Sequence, residues 1–234
     1  MRSGETLPQR AESATIWGVR DYRLVLLTLG AALALGVGGR VLVRVGWELP
    51  RGEDLATAGS TAKALGAPWL AAAWGLGALA DSRVRGALAG AAALVLGTFC
   101  WYFVSLAIHG PPAVGYVVPV SMGWSLVAGA AGAAFGLVGA LWRDGDPVAR
   151  AASIALLAGA LAGEAVLLLG KWTGQAASLV LGVELLAATT ALMLSRRRAP
   201  IMLTLSLFLV AAVAMAGAED AARDTVRLVG WRGP

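Results

Sequence analysis

The chain has 234 residues, of which 58% are hydrophobic and 14% are charged. Soluble domains carry about 25% charged residues, so this composition, with a mean hydropathy of +0.73, excludes an ordinary soluble protein and predicts a multi-pass membrane protein. The net charge of +5 comes from basic residues in short loops between apolar segments. Membrane topology accounts for such loops, so the charge does not indicate nucleic-acid binding. Cys100 is the sole cysteine of the sequence, which excludes an internal disulfide and a cysteine-based zinc site.

The first 23 residues are polar, and the apolar segment behind them ends in Arg40 and Arg44 without a small-residue cleavage site. This pattern predicts a cytoplasmic N-terminal segment, 1–23, and an uncleaved first helix rather than a signal peptide. A transmembrane bundle is expected over 24–218. An amphipathic tail is expected over 219–234, where acidic and basic residues alternate at helical spacing.

Membrane-spanning helices need about 20 mainly apolar residues. By this criterion the sequence predicts an all-α, polytopic transmembrane helix bundle with seven spans, arranged as a lead helix followed by three helical hairpins. Pro119 is expected to kink the fourth span or to mark its start, and counts of six or eight spans stay open. The predicted spans are 24–46, 62–80, 86–108, 115–142, 148–169, 176–195 and 200–218.

Arginines alternate between the predicted loops and give the orientation. Lys and Arg concentrate in cytoplasmic loops of membrane proteins. Arg83 and Arg85, Arg143 and Arg150, and the run 196–198 fall on one side with the N-terminus, whereas the opposite loops hold only Arg51, Lys63 and Lys171. The N-terminus is therefore predicted to be cytoplasmic, in a bacterial cytoplasmic (inner) membrane.

Several ionisable residues lie inside the predicted spans, where they are costly and usually mark a pathway, a pair or a binding site. From the rise of a helix, Arg40 and Glu164 lie roughly 24 Å from the cytoplasmic side and Glu184 lies roughly 12 Å below the outer surface. They predict an outward-facing polar layer. The candidate ligand-binding residues of this layer and its surroundings are Arg40, Arg44, Trp101, Tyr102, His109, Glu164, Glu184 and Glu219.

The polar layer has structural interpretations as well. Arg40 or Arg44 could form a structural ion pair with Glu164 or extend to the outer headgroups, and Arg44 could pair with Glu48 one turn on. Trp101 and Tyr102 are interpreted either as lining a pocket or as ordinary packing, and His109 beside Gly-Pro-Pro as a loop residue. If the seventh helix runs straight on, Glu219 and Asp220 would cap the outer cavity.

Pairs of glycines recur four residues apart, at Gly86/Gly90, Gly132/Gly136 and Gly159/Gly163. This spacing lets two helix backbones approach closely. It is compatible with packing inside one chain or with a dimer face.

The sequence contains no complete catalytic motif. Residues 144–164 resemble the signature of CDP-alcohol phosphotransferases, but Gly163 and Leu167 occupy two positions where that signature has aspartates, so the metal-binding carboxylates are absent. One histidine cannot build a metal cluster, and no nucleophile motif is present. The sequence therefore favours a non-enzymatic protein, leaves a membrane-embedded enzyme open, and predicts no metal and no cofactor.

The stretch GAPWLAAAWGLGALAD, within an Ala/Gly-rich layout of basic hairpins over 24–195, resembles an uncharacterised family of actinobacterial multi-pass membrane proteins with no assigned activity. The general layout also resembles the substrate-binding subunits of energy-coupling-factor transporters. Those are small helical proteins with an outward-facing ligand pocket, but they have six spans.

Two functions follow as hypotheses. The protein binds or transports a small solute through the outer polar pocket, or it is a structural or regulatory subunit of a membrane complex with no ligand site. The expected partners are the lipid bilayer and either a small solute or another membrane protein, but not nucleic acid.

Overall fold

The computed structural model describes residues 19–41, 66–109, 114–143, 146–169, 175–195 and 199–231. Within these ranges every regular element is helical. The first helix, α1, continues into a π-helical turn at Ala34–Gly38. The α-helices are α1 (Val19–Leu33), α2 (Ala67–Leu79), α3 (Arg83–His109), α4 (Val114–Leu141), α5 (Pro147–Leu169), α6 (Gln175–Ser195) and α7 (Ile201–Arg227).

The predicted helical membrane bundle is confirmed. Five helical segments are long and apolar enough to cross a membrane, and two further apolar helices, Ala67–Leu79 and Leu181–Met193, are shorter. The chain is therefore a multi-pass integral membrane protein. The five long segments are Tyr22–Val41, Arg83–Ile108, Val114–Leu141, Pro147–Leu167 and Ile201–Arg227.

The second helix is short. With 13 residues, α2 is about 20 Å long, which is less than the roughly 30 Å of a bilayer core. Gly66 is its N-cap, and Pro68 lies in its first turn, where proline fits because its fixed φ suits the helix and its missing N–H has no intrahelical partner anyway. The sequence predicted a span over 62–80, whereas the described helix begins at Ala67.

Glycines bring α3 and α4 into backbone contact. A Cβ added at Gly90 would overlap the carbonyl of Gly132, and one at Gly86 would lie 2.7 Å from the carbonyl oxygen of Gly136. In the same way, a Cβ at Gly163 would lie 2.6 Å from the carbonyl oxygen of Ala212 on α7. The glycine pairs predicted from the sequence therefore pack helices within one chain.

The helices form two groups. One contains α1 to α4, with α3 packed along α4, and the other contains α5 with α6 and α7 packed on it. A buried hydroxyl links the groups, because Ser153 of α5 donates to the carbonyl oxygen of Val138 at 2.7 Å and accepts from Trp74 Nε1 at 2.9 Å. The predicted second hairpin is α4 with α5, and the predicted third hairpin is α6 with α7. The two helices of each hairpin make fewer contacts with each other than α3 makes with α4 or α5 makes with α7.

Gly90→Ala should lower the melting temperature of the purified protein in detergent. Its added methyl group overlaps a backbone carbonyl, and overpacking of this kind costs about 1–3 kcal/mol. Gly182→Ala is the matched control, since a Cβ at Gly182 on α6 meets nothing within 4 Å. Equal melting temperatures for the two variants would contradict this packing.

Candidate binding site

The seventh helix runs past the predicted boundary at 218 and ends at Arg227. Its end is shaped by Gly230, whose φ of 95° is in the left-handed region that glycine adopts readily. The chain then folds back, so that the Trp231 N–H donates to the carbonyl of Val226 at 3.3 Å and the Trp231 ring lies edge-on to Trp124, 5.2 Å between centroids.

Arg223, one helical turn beyond Glu219, points into the bundle and is buried. Its Nε donates to Glu219 Oε1 at 3.0 Å, and its Nη2 also donates to that oxygen. The same Nη2 lies 3.7 Å from Glu164 Oε1. The guanidinium carbon is 5.9 Å from the ring centroid of Trp231, within cation–π range. One arginine thus contacts two carboxylates below an aromatic ring.

Glu164 of α5 is 1% exposed and caps α2 from another part of the chain. Its Oε1 accepts a hydrogen bond from the Gly66 N–H at 2.5 Å, and its Oε2 accepts one from the Ala67 N–H at 2.6 Å. The first N–H groups of a helix have no partner inside the helix and carry partial positive charge. The carboxylate therefore satisfies two donors that would otherwise be unpaired inside the bundle.

Glu184 of α6 is 4% exposed and is the poorly satisfied member of the group. Its carboxyl group interacts electrostatically with that of Glu164. Among the described residues no N–H or hydroxyl donor reaches either of its oxygens. Glu219 also interacts electrostatically with both glutamates.

We call Glu164, Glu184, Glu219 and Arg223 the carboxylate cluster. It holds three carboxyl groups and one guanidinium, together with the N-terminus of α2. The described residues contain no group of three His, Cys, Asp or Glu side chains placed to hold a metal ion. A carboxyl group in excess over the single guanidinium can exchange a proton or a small positively charged group.

Three of the candidate ligand-binding residues, Glu164, Glu184 and Glu219, lie together in the structure. The cation at Glu164, however, is Arg223 and not Arg40. Sequence reasoning placed Arg223 in a solvated tail because it assumed a break at 218. In the structure Arg223 shares one face of α7 with the buried residues Thr204, Ala211 and Val226.

Arg40 forms a different group with two other candidates. Its guanidinium lies over Trp101, 5.7 Å from the ring centroid, and interacts electrostatically with Tyr102. A Cβ at Gly39 would lie 2.9 Å from the Trp101 ring, so glycine lets this ring pack against α1 just beyond the π-helical turn.

Two other candidate ligand-binding residues, Arg44 and His109, have side chains outside the described part of the chain. Arg44 lies outside the described residues. His109 ends α3, and its side chain is outside the described part of the chain.

Glu164→Gln should destabilise the protein strongly. The amide nitrogen of glutamine would face one of the two backbone N–H donors at the start of α2, and breaking a buried charged interaction typically costs about 3–5 kcal/mol. Thermal unfolding in detergent measures the change. Asp224→Asn is the control, since Asp224 pairs with Arg227 at the exposed surface, where ion pairs contribute about 0–1 kcal/mol.

A double-mutant cycle tests the longer contact between Glu164 and Arg223. Glu164→Gln combined with Arg223→Gln should cost less than the sum of the two single changes, because Arg223→Gln removes the cation near Glu164 and Glu164→Gln removes one of the two carboxylates near Arg223. Additive losses would show that the two side chains do not interact.

Comparison with known protein families identifies one match. The model of a family of unknown function, DUF6518, matches residues 55–223, which contain the whole carboxylate cluster and exclude α1 and Trp231. No curated protein and no solved structure matches the chain. The expectation of an uncharacterised family is thereby confirmed. Since the match covers most of its residues, the chain belongs to this family of unknown function (DUF6518).

Proposed function

We propose that the protein is a non-enzymatic membrane protein that binds or transports a small solute at the carboxylate cluster, and that this solute carries a positive charge. The observation that carries the proposal is Glu184, a buried carboxyl group without an N–H or hydroxyl donor among the described residues. An uncompensated carboxylate inside a membrane protein is costly. Glu184 therefore holds either a proton or a cation.

The charges of the cluster favour a cationic solute over an anionic one. If all its groups are ionised, three carboxylates face one guanidinium, and Arg223 is already held by Glu219 and approached by Glu164. A bound ammonium or guanidinium group would supply the counter-charge that Glu184 lacks. An anion would add to the surplus of negative charge.

Access to the cluster requires movement, since Glu164, Glu184 and Arg223 are all buried. Trp231 covers Arg223 and follows the turn at Gly230. With the N-terminus cytoplasmic, this end of α7 faces the outside, and displacement of Trp231 would open the site outward. An outward-facing pocket also suits the general likeness to substrate-binding subunits of energy-coupling-factor transporters.

A structural or regulatory subunit without a ligand site is the second candidate. The observation that favours it is Glu164, whose two backbone hydrogen bonds are fully explained by capping α2. In that case Glu184 would be protonated permanently and would serve packing alone.

The topology predicts the position of two reporters. A reporter fused after Arg198 should be cytoplasmic, because three consecutive arginines precede it. One inserted in residues 109–112 should be outside. Accessibility to a membrane-impermeant label measures both, and the reverse pattern would move the carboxylate cluster to the cytoplasmic side.

Glu184→Gln distinguishes the two functions. A panel of monovalent metal ions, primary amines and guanidinium compounds should contain a member that raises the melting temperature of the wild-type protein. Saturation at 100 times the dissociation constant would contribute about 2.7 kcal/mol. The variant should lose this effect while keeping its melting temperature in the absence of ligand, because glutamine preserves the shape of the side chain.

Two controls sharpen this experiment. Asp224→Asn removes an exposed carboxylate of the same helix end and should keep the response. In the wild-type protein the response should weaken as the pH falls, because a proton and the cation compete for Glu184. A Glu184→Gln variant that responds as the wild type does would reject the binding function at this residue and favour the structural one.

A further inference from the structure

A second polar feature lies at the opposite end of the bundle from the carboxylate cluster. A cavity of about 370 Å³ opens between α1, the end of α2 and the end of α4. Arg23 and Arg143 line it together with Asp81, and Leu24, Leu27 and Leu79 form its apolar part. Pockets for small ligands begin at about 300 Å³, so the cavity is large enough for a polar headgroup.

The charged groups of this cavity leave a positive surplus. Asp81 is paired with Arg85, 3.0 Å between Oδ2 and Nη1. A hydrogen bond with its own backbone, together with the charges of Arg85 and Arg143, holds the pKa of Asp81 below its usual value despite some desolvation. Asp81 is therefore ionised, and its single negative charge leaves a positive surplus on Arg23, Arg85 and Arg143.

Arg143 is held in position by the backbone. Its Nη1 donates to the carbonyl oxygen of Ala80, in the turn between α2 and α3. Arg143 also lines the cavity. A planar guanidinium fixed at one edge suits the oxygens of a phosphate.

The apolar side of the cavity continues onto the lipid-facing surface. Leu27 is 48% exposed and Leu79 is 64% exposed, and both belong to helices that begin or end here. A ligand bound at Arg23 and Arg143 would thus lie with one end among basic groups and the other along exposed leucines. An amphiphile with an anionic head matches both parts.

We propose that this cavity binds the phosphate group of an anionic phospholipid, with Arg23 and Arg143 at the phosphate and the leucines of α1 and α2 along the acyl chains. With the N-terminus cytoplasmic, the cavity faces the leaflet whose anionic lipids attract basic residues, and basic pockets between helices on that side bind such headgroups. The proposal does not depend on a solute at the carboxylate cluster.

The test uses the full chain in detergent with added phosphatidylglycerol or phosphatidylcholine. Native mass spectrometry during a lipid titration measures the affinity of each. The wild-type protein should retain phosphatidylglycerol and prefer it. Arg23→Gln and Arg143→Gln should each weaken its binding about fivefold, the effect of roughly one basic residue near anionic lipid.

Arg227→Gln is the matched control, because Arg227 is an exposed arginine at the opposite end of the bundle. It should leave the preference unchanged. Arg23→Gln keeps the bond between Arg143 and Ala80, so it remains informative if Arg143→Gln fails to fold. Equal binding of the two lipids, or an equal loss in Arg227→Gln, would overturn the proposal.

Inorganic phosphate separates a lipid from a soluble ligand. If the cavity binds phospholipid, millimolar phosphate should neither displace phosphatidylglycerol nor raise the melting temperature. Displacement together with stabilisation, lost in Arg23→Gln, would assign the site to a soluble phosphate compound and overturn the lipid assignment.

Discussion

The carboxylate of Glu164 at the start of α2 is the contact on which the polar interior depends. A 13-residue helix is too short to cross the bilayer core by itself, so its first N–H groups must find partners within the protein, where no bulk water reaches them. Glu164 supplies both oxygens to Gly66 and Ala67. Once this negative charge is inside the bundle, it requires a cation, and Arg223 is placed 3.7 Å from it.

The need for that cation explains the shape of the chain after residue 218. If α7 ended at the predicted boundary, Arg223 would lie outside the membrane and Glu164 would be compensated only by the helix N-terminus. The continuous helix to Arg227 instead carries Glu219 and Arg223 into the bundle on the face that already holds Ala211. Gly230 then turns the chain, so that Trp231 lies over the guanidinium. Within this arrangement Glu184 is the group whose charge remains uncompensated.

The sequence predicts the helices and the identity of the buried carboxylates better than it predicts their partners. Apolar length predicts the helices, although only five of the described segments are long and apolar enough to cross a membrane. The cost of a charge inside the membrane selects Glu164 and Glu184. Arg223 was missed because charge spacing at i,i+4 is the same in a solvated helix and in a buried one. An analysis of side-chain types does not show which backbone N–H groups lack a partner. The cap that Glu164 forms on α2 could therefore not be predicted from the sequence. Arg40 was predicted to lie near Glu164 from its depth in the membrane alone. Depth does not show towards which neighbouring helix a side chain points. Gly39 and Trp101 decide that orientation by close packing.

The position of the cluster relative to the two helix groups gives Glu184 a further consequence. Glycine contacts join α3 to α4, and glycine–alanine contacts join α5 to α7, so each group is packed backbone to backbone. Between the groups the contacts are sparser. Polar bonds at Glu164 and Ser153 carry part of that interface. Glu184 interacts electrostatically with Glu164, so its charge state changes the field at the first of these bonds. Under the proposed function, a proton or cation bound at Glu184 would act on the interface between the two helix groups, where contacts are sparser.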